Sequence, residues 1–298
     1  MYSQIAANKR KSIFLLVGFV IFAGVIAYLA GLYLGGKSFA PFAIFFGLAY
    51  VLITYFAGSK MALALNGAKE VAKKDQPRLY RMVENLTITV GLPMPKVYVI
   101  DDQALNAFAT GRDPNHSSVA VTKGLIDALD DTELQGVLAH ELGHVQNYDI
   151  RVSLVAFALA SIVGIISDII LRSMIWGGGS DDDGPGSNPI VMIIGIIAII
   201  LAPIVAALIQ LAISRQREYL ADATGAMTTR YPEGLARALE KISKAGSTMK
   251  RQNSSTAHLF FASPLKKKSF SRLFSTHPPI EDRIARLRNT DFSSRAEV

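Results

Sequence analysis

Four long apolar runs constrain this chain of 298 residues more strongly than any other feature of its sequence. The cleanest run, residues 190–213, reads IVMIIGIIAIILAPIVAALIQLAI, with no charged residue and only one proline. A helix needs about 20 apolar residues to cross the hydrocarbon core of a bilayer. Run 13–34 also reaches that length, whereas run 42–56 is short and run 152–175 contains Asp168. The sequence therefore predicts a mainly α membrane protein with four transmembrane helices.

The composition supports a membrane protein and excludes several kinds of site. A hydrophobic fraction of 50% and a mean hydropathy of +0.31 are high for a soluble domain. The chain has no cysteine, which rules out disulfides, thiolate zinc fingers and a cysteine nucleophile. A cleaved signal peptide is the alternative for run 13–34. That run is longer than the roughly 7–15 apolar residues of such peptides, so an uncleaved anchor is the better interpretation.

The distribution of positive charge predicts how these helices are oriented. Lys9, Arg10 and Lys11 precede the first run, and Arg215 and Arg217 follow the fourth. The connection between the third and fourth runs, GGGSDDDGPGSNP, contains no lysine or arginine. Because positive residues favour the cytoplasmic side, we expect both termini and both long polar segments to be cytoplasmic.

The net charge of +7 follows mainly from this orientation, so it does not indicate binding to nucleic acid. The segment PLKKKSF, residues 264–270, has three adjacent lysines. It is either a solvated loop or a site that docks on anionic lipid headgroups. An acid within a membrane segment, such as Asp168, often marks a functional site. Near the end of a span it can instead reach water or pair with Arg172.

The polar segments predict a mixture of helices and strands. PKVYVI is typical of a strand, and LNAFATG and SSVAVTKGL flank a turn and indicate a hairpin. YPEGLARALEKISKAG has the spacing of an amphipathic helix, with proline near its start and glycine at its end. PPIEDRIARLRN predicts a further short amphipathic helix near the C-terminus.

The segment GVLAHELGH, residues 136–144, carries the strongest chemical signal. It lies in a predicted helix that Asp130 or Asp131 can cap. His140 and His144 are four residues apart, so both imidazoles project from nearly the same helix face. Glu141 lies one step around the helix and can reach a water on a bound metal. This His-Glu-x-x-His arrangement predicts two zinc ligands and a general base.

A catalytic zinc requires a third protein ligand from elsewhere in the chain. Besides His116, His258 and His277, carboxylates are candidates. Glu218 follows the fourth apolar run, and an antiparallel helical hairpin would return it to the side of the His-Glu-x-x-His helix. Asp222, one turn later, could hydrogen-bond a ligand histidine. Alternatively, Glu218 is a surface carboxylate paired with a neighbouring arginine.

The order of these segments resembles the HtpX family of membrane zinc metalloproteases, relatives of the CAAX prenyl proteases. HELGH at 140–144 and EYLAD at 218–222 carry the resemblance, with LNAFATG, VAVTKGL, THPPIEDRI and the paired apolar runs. The resemblance covers essentially the whole chain. It implies a cytoplasmic zincin-like (gluzincin) domain with one Zn²⁺ per chain. It also implies that the third ligand is a glutamate, here Glu218.

The resemblance implies roles for three further residues. LNAFATG matches the family's substrate-binding strand, so Asn106 and Ala107 are expected to contact the substrate backbone by strand addition. Ordinary hairpin positions are the alternative. His277 in THPPIEDRI matches a late family histidine that stabilises the oxyanion, although it could simply be a loop histidine. From its position alone, Asp149 is expected to brace the His-Glu-x-x-His helix or cap its end.

Together these features predict an α+β membrane protein, mainly α, with four transmembrane helices and a cytoplasmic zincin-like domain. Residues 1–56 would form an N-terminal transmembrane hairpin, and residues 152–213 a second one. Residues 57–151 and 214–298 would be the two parts of one catalytic domain, because neither block is large enough to be comfortable alone.

The resemblance further implies quality-control cleavage of damaged or misassembled proteins of the bacterial inner membrane, often under stress. The partners would be membrane-protein or unfolded-protein substrates, membrane lipid and other quality-control proteins. Three alternatives remain open: a non-catalytic scaffold with a structural zinc, a transporter or channel that uses Asp168, and a prenyl-protein processing enzyme, for which this chain is short.

Overall fold

The computed structural model describes residues 40–161, 215–265 and 278–289, together with scattered positions between 6 and 38. The fourth apolar run and most of the third lie outside these residues. So do Asp168 and His277.

A long apolar helix precedes the polar domain. Helix α1 (Ala40–Leu65) extends nine residues past the apolar run that predicted it, so the expected boundary at residue 56 falls inside the helix. Its segment Ile44–Leu65 is the one stretch among the described residues that is long and apolar enough to cross a membrane. Phe45 and Phe46 are each 67% exposed, which suits a helix surrounded by lipid. The predicted four spans are thus represented here by one candidate helix.

A four-stranded sheet forms one side of the domain. Its strands are β1 (Ala68–Glu70), β2 (Lys96–Ile100), β3 (Ala107–Gly111) and β4 (Ser117–Thr122), in the order β1-β2-β4-β3. Strands β2 and β4 are parallel, whereas β1 and β3 pair with their neighbours in the antiparallel sense. The predicted hairpin is therefore confirmed as β3 and β4, and β3 forms an edge of the sheet.

Among the residues that the structure describes, seven helices accompany the sheet, and sequence signals mark several of their ends. They are α2 (Pro77–Val90), α3 (Lys123–Ala128), α4 (Asp131–Gln146), α5 (residues 149–161), α6 (Arg215–Thr229), α7 (Pro232–Ala245) and α8 (Ile280–Asn289). Proline occupies the first turn of α2 and of α7, where no intrahelical N–H donor is needed. Gly91 ends α2 in the left-handed conformation with φ 68°.

Helix α4 is the central helix of the domain, and its start is strongly specified. Asp130 accepts hydrogen bonds from the backbone N–H groups of Thr132 and Glu133. The Glu133 carboxylate in turn accepts from the Asp130 N–H at 2.9 Å, which completes a capping box. Leu134 and Leu138 of α4 are fully buried in the core, which α4 shares with the sheet, α6 and α7.

Glycine lets α6 approach α4 closely at the level of the histidines. A Cβ atom added to Gly225 of α6 would lie 3.0 Å from the backbone nitrogen of His140. The glycine inside the motif, Gly143, has more room, since an added Cβ would meet its nearest neighbour at 3.4 Å. The close approach that positions the site is therefore made by the glycine on the facing helix.

A candidate metal centre between two helices

Helices α4 and α6 bring two histidines and one glutamate together. The Nε2 atoms of His140 and His144 are 3.2 Å apart. The Glu218 carboxylate lies 3.9 Å from Nε2 of His140 and 3.5 Å from Nε2 of His144. The three donor atoms lie within 4.8 Å of one another. The residue favoured as third ligand is therefore next to the histidine pair in space, although 74 residues of sequence separate Glu218 from His144.

Each imidazole is held by a carboxylate on its other nitrogen. Asp222 Oδ1 lies 2.8 Å from Nδ1 of His140, and Asp149 Oδ2 lies 3.0 Å from Nδ1 of His144. A carboxylate at Nδ1 favours a proton there, so the Nε2 lone pair points into the space between the helices. All of these residues except His144 are at most 5% exposed.

This donor set fits a tetrahedral metal ion. With both Nδ1 atoms protonated, two Nε2 lone pairs and a carboxylate face one another, and this repulsion is relieved by a cation. Two ligands at about 2.0–2.1 Å from a tetrahedral Zn²⁺ lie roughly 3.3 Å apart, close to the observed 3.2 Å between nitrogens. Two nitrogens and one carboxylate oxygen are also the donor types that zinc accepts in catalytic sites.

Without a metal, the pKa values of the two histidines are shifted in opposite directions. Burial lowers the pKa of His140 to about 4, despite its hydrogen bond to Asp222. Burial also opposes charging of His144, but the hydrogen bond that its Nδ1–H donates to Asp149 and the negative charges of Glu218, Asp149 and Glu141 outweigh it. They raise the pKa of His144 to about 9. A proton on Nε2 of His144 can then bridge to Nε2 of His140 in place of the metal.

Arg283 of α8 supports the site and was missed by the sequence analysis. Its Nε and Nη2 atoms donate to the two carboxylate oxygens of Asp222 at 2.9 and 2.7 Å. Burial alone would raise the pKa of Asp222, but this ion pair lowers it to about 2. A signal was available, because Arg283 shares the apolar face of α8 with Ile280, Ile284 and Leu287. An arginine in such a position indicates a buried partner.

The other predicted site residues have different surroundings. Glu141 is 2% exposed and lines the same cavity as the two histidines and Glu218. His258 also lines this cavity, with its Nε2 atom 3.0 Å from the Ser153 carbonyl oxygen. His116 is exposed and pairs with Asp113, away from the site. His277 lies outside the described residues.

The predicted substrate-contact residues, Asn106 just before β3 and Ala107 at its start, pair with another segment of the chain. The side-chain Nδ2 atom of Asn106 donates to the Ala262 carbonyl oxygen at 2.7 Å, and its side-chain Oδ1 atom accepts from the Ala262 N–H. The Ala107 carbonyl accepts from the Phe261 N–H at 2.8 Å. Residues 261–262 therefore pair with this edge in the structure, and the expectation that Asn106 and Ala107 meet a substrate backbone stays a prediction.

The cavity at the site is small. Its volume of about 30 Å³ holds one or two water molecules but no peptide. The Phe261 ring forms one wall, with its centroid 4.9 Å from that of His140. In this structure the segment that carries Phe261 thus lies against the histidines and narrows the cavity beside them.

Comparisons with known proteins agree with this geometry. Peptidase family M48 matches residues 73–291. A "Protease HtpX homolog" of Tropheryma whipplei (strain Twist) is 51% identical over 288 residues, covering 97% of this chain and 98% of the relative. A "Protease HtpX homolog" of Listeria monocytogenes serotype 4b (strain CLIP80459) is 45% identical, covering 97% of this chain and 99% of the relative.

The fold is also similar to that of a solved protein. The crystal structure of S. mikatae Ste24p matches with a TM-score of 0.52 at 20% identity, covering 96% of this chain and 67% of that one. At this identity the likeness concerns the fold alone. The family match and the near full-length relatives show that the chain belongs to peptidase family M48 and, within it, to the HtpX proteases, and that it is a metalloprotease.

Proposed function

We propose that the protein is an integral membrane zinc endopeptidase that cleaves damaged or misfolded proteins of the bacterial inner membrane. The observation that carries this proposal is the cluster of His140, His144 and Glu218, with both imidazoles oriented by buried carboxylates. The HtpX relatives and the apolar helix α1 support a membrane protease. The four apolar runs favour four spans. The positive residues that flank these runs favour a cytoplasmic location for the catalytic domain and both termini.

In this proposal His140, His144 and Glu218 hold one zinc ion. When bound, Zn²⁺ would polarise the scissile carbonyl and lower the pKa of a water molecule toward about 7. Asp222 and Asp149 keep the protons of the two imidazoles on Nδ1, so that each Nε2 lone pair faces the ion.

Glu141 acts as the general base. Its carboxylate takes a proton from the attacking water as the oxygen bonds to the scissile carbon. It then delivers that proton to the amide nitrogen as the carbon–nitrogen bond breaks. No acyl-enzyme forms, because water is the nucleophile. His277 remains a predicted donor to the oxyanion, and its test is the loss of turnover without loss of zinc in His277→Ala.

Substrate entry requires residues 258–262 to move. The Ala107 carbonyl points to the side of β3 that faces away from β4. Because backbone groups alternate in direction along a strand, the N–H and carbonyl groups of Ala109 point to the same side. A substrate strand could pair there once Phe261 withdraws. Hydrogen exchange should show Phe261 and Ala262 amides that are protected in the free enzyme and exposed when a peptide hydroxamate binds. Unchanged protection in the complex would contradict this mode of entry.

The test of the function compares three glutamate variants of the detergent-solubilised protein. Glu218→Ala should lose both zinc and casein cleavage, because a ligand is removed. Glu141→Gln should keep zinc and lose cleavage by about 10²–10⁴-fold, the usual contribution of a general base. Glu133→Gln is the matched control, since Glu133 is buried on the same helix but serves the capping box. Cleavage by Glu141→Gln at the wild-type rate would contradict the general-base role of Glu141, whereas a wild-type protein that binds zinc but does not cleave casein would favour a non-catalytic scaffold.

A further inference from the structure

A residue of the N-terminal segment reaches the candidate metal centre. Asn8 precedes the first apolar run, yet it is only 3% exposed. Its Nδ2 atom donates to Oδ1 of Asp149 at 2.8 Å and to the Asn147 carbonyl oxygen at 2.9 Å. Both partners lie just after the end of α4, 139 and 141 residues further along the chain.

These contacts fix the carboxylate that orients His144. Oδ2 of Asp149 faces Nδ1 of His144 at 3.0 Å, while Oδ1 faces Asn8 and, at 3.6 Å, Nη1 of Arg217. The two oxygens therefore have separate partners on opposite sides. A carboxylate held in this way cannot rotate without losing a hydrogen bond.

The backbone around Asp149 does not fix it alone. Residues 147–148 form a turn between α4 and α5, and Tyr148 has a positive φ of 61°. Asp149 thus begins a new helix instead of continuing the one that carries His144. The N-terminal segment reaches Asp149 through Asn8, whereas Lys9 contacts only the Tyr148 ring, with Nζ 4.4 Å from its centroid.

We propose that Asn8 is a positioning residue of the metal centre, which acts through Asp149 to hold the His144 ring in its ligand orientation. This proposal rests on the proposed function, in that His144 is a zinc ligand. Asn8 does not line the cavity, so it acts on the metal and not on the substrate. The N-terminal segment is thereby part of the catalytic unit as well as the lead-in to the first apolar run.

The test measures zinc affinity by chelator competition, a readout that needs no peptidase activity. Partners of metal-ligating histidines typically contribute 10–100-fold to metal affinity or activity, and Asn8 is one step further away. We expect about tenfold weaker zinc binding in Asn8→Ala. Asn8→Asp should weaken zinc binding more, because the substitution replaces a hydrogen-bond donor with a carboxylate that repels the Asp149 carboxylate. Lys9→Ala is the matched control, since Lys9 contacts the same turn but not Asp149, and its zinc affinity should stay within about twofold of wild type.

A double-mutant cycle separates positioning from a general effect on folding. If Asn8 acts through Asp149, then Asn8→Ala should change zinc affinity by less than about twofold in the Asp149→Ala background. Undiminished weakening in that background, or wild-type affinity in Asn8→Ala alone, would overturn the proposal. At saturating zinc, the kcat of Asn8→Ala should return to the wild-type value and its KM should be unchanged. Absence of zinc-dependent cleavage by the wild-type protein would refute the proposed function but leave this affinity result intact.

Discussion

The first and last helices to reach the candidate metal centre contribute to it in opposite ways. Helix α4 supplies His140, Glu141 and His144 from five consecutive residues, and its own start is fixed by a local capping box. Helix α8 supplies Arg283, which lies 143 residues after His140 and is 1% exposed. The residues of α4 face the candidate metal centre, whereas Arg283 faces Asp222, the carboxylate behind His140.

The difference teaches that the reactive groups and their electrostatic support are encoded differently. The histidine pair needs only helical periodicity to share one face. Asp222 can stay charged beside His140 only because Arg283 approaches it with a fork of two hydrogen bonds. That contact depends on the packing of α8 against α6, which no local pattern specifies.

The largest expected effect separates a buried ion pair from surface ones on the same helix. Arg283→Ala leaves the Asp222 carboxylate buried without its counter-ion, which typically costs 3–5 kcal/mol of unfolding free energy, here taken as about 4. Arg288 of α8 pairs with Glu233 and Glu240 at the surface, where ion pairs contribute little. Urea unfolding of the detergent-solubilised apoprotein should therefore show a large shift of the midpoint for Arg283→Ala and almost none for Arg288→Ala.

A lysine variant refines this test. Arg283→Lys keeps the positive charge but loses the two-pronged contact, so its midpoint should lie between wild type and Arg283→Ala. Equal destabilisation by Arg283→Ala and Arg288→Ala would contradict the assignment of Arg283 as the support of Asp222.

A smaller effect is expected from the glycines at the interface of α4 and α6. An alanine at Gly225 would place its Cβ 3.0 Å from the backbone nitrogen of His140, which cannot yield without moving α4. Such overpacking typically costs about 1–3 kcal/mol. In Gly143→Ala the new Cβ meets ordinary contacts from 3.4 Å outward, and alanine suits a helix better than glycine. The thermal unfolding midpoint of Gly225→Ala should therefore lie well below that of Gly143→Ala. The reverse order would contradict the assignment of the tight contact to Gly225.

Much of the fold followed from local sequence. The β3–β4 hairpin, the cap of α4 and the proline-started helix α7 were all predicted, because turn residues and periodicity act within a few residues. The extent of α1 was not predicted, because the apolar run ends at residue 56 and Lys60 follows it. Its side chain is exposed and the helix continues past it to Leu65.

The site was predictable where helical spacing or paired apolar runs constrained it. Glu218 and Asp222 were favoured because a helical hairpin would return α6 to α4, and they lie beside the histidines. Asn8 and Arg283 were missed because each acts on a carboxylate that is distant in sequence. The pairing of Phe261 with Ala107 was also unforeseen, since an edge strand does not specify which segment will cover it.

The smallest expected effect concerns the two histidines of α4 and is the number of protons that the apoprotein releases when it binds Zn²⁺. Zinc ligands must be deprotonated, so metal binding releases whatever proton a ligand holds. At pH 6, His140 with a pKa of about 4 is neutral, whereas His144 with a pKa of about 9 is charged. Calorimetric titration of the apoprotein with Zn²⁺ in two buffers of different ionisation enthalpy should therefore give about one proton released per ion.

The sign of the pH dependence follows from the same difference between the histidines. Because the His144 proton competes with the metal, apparent zinc affinity should fall about tenfold for each pH unit below 9, until His140 begins to compete near pH 4. His116→Ala, at an exposed histidine outside the site, should give the same count as wild type. A release of two protons at pH 6 would mean that burial does not keep His140 neutral. A release of none would mean that Asp149 and Glu218 do not hold a proton on His144, and the two ligands of α4 would then be equivalent.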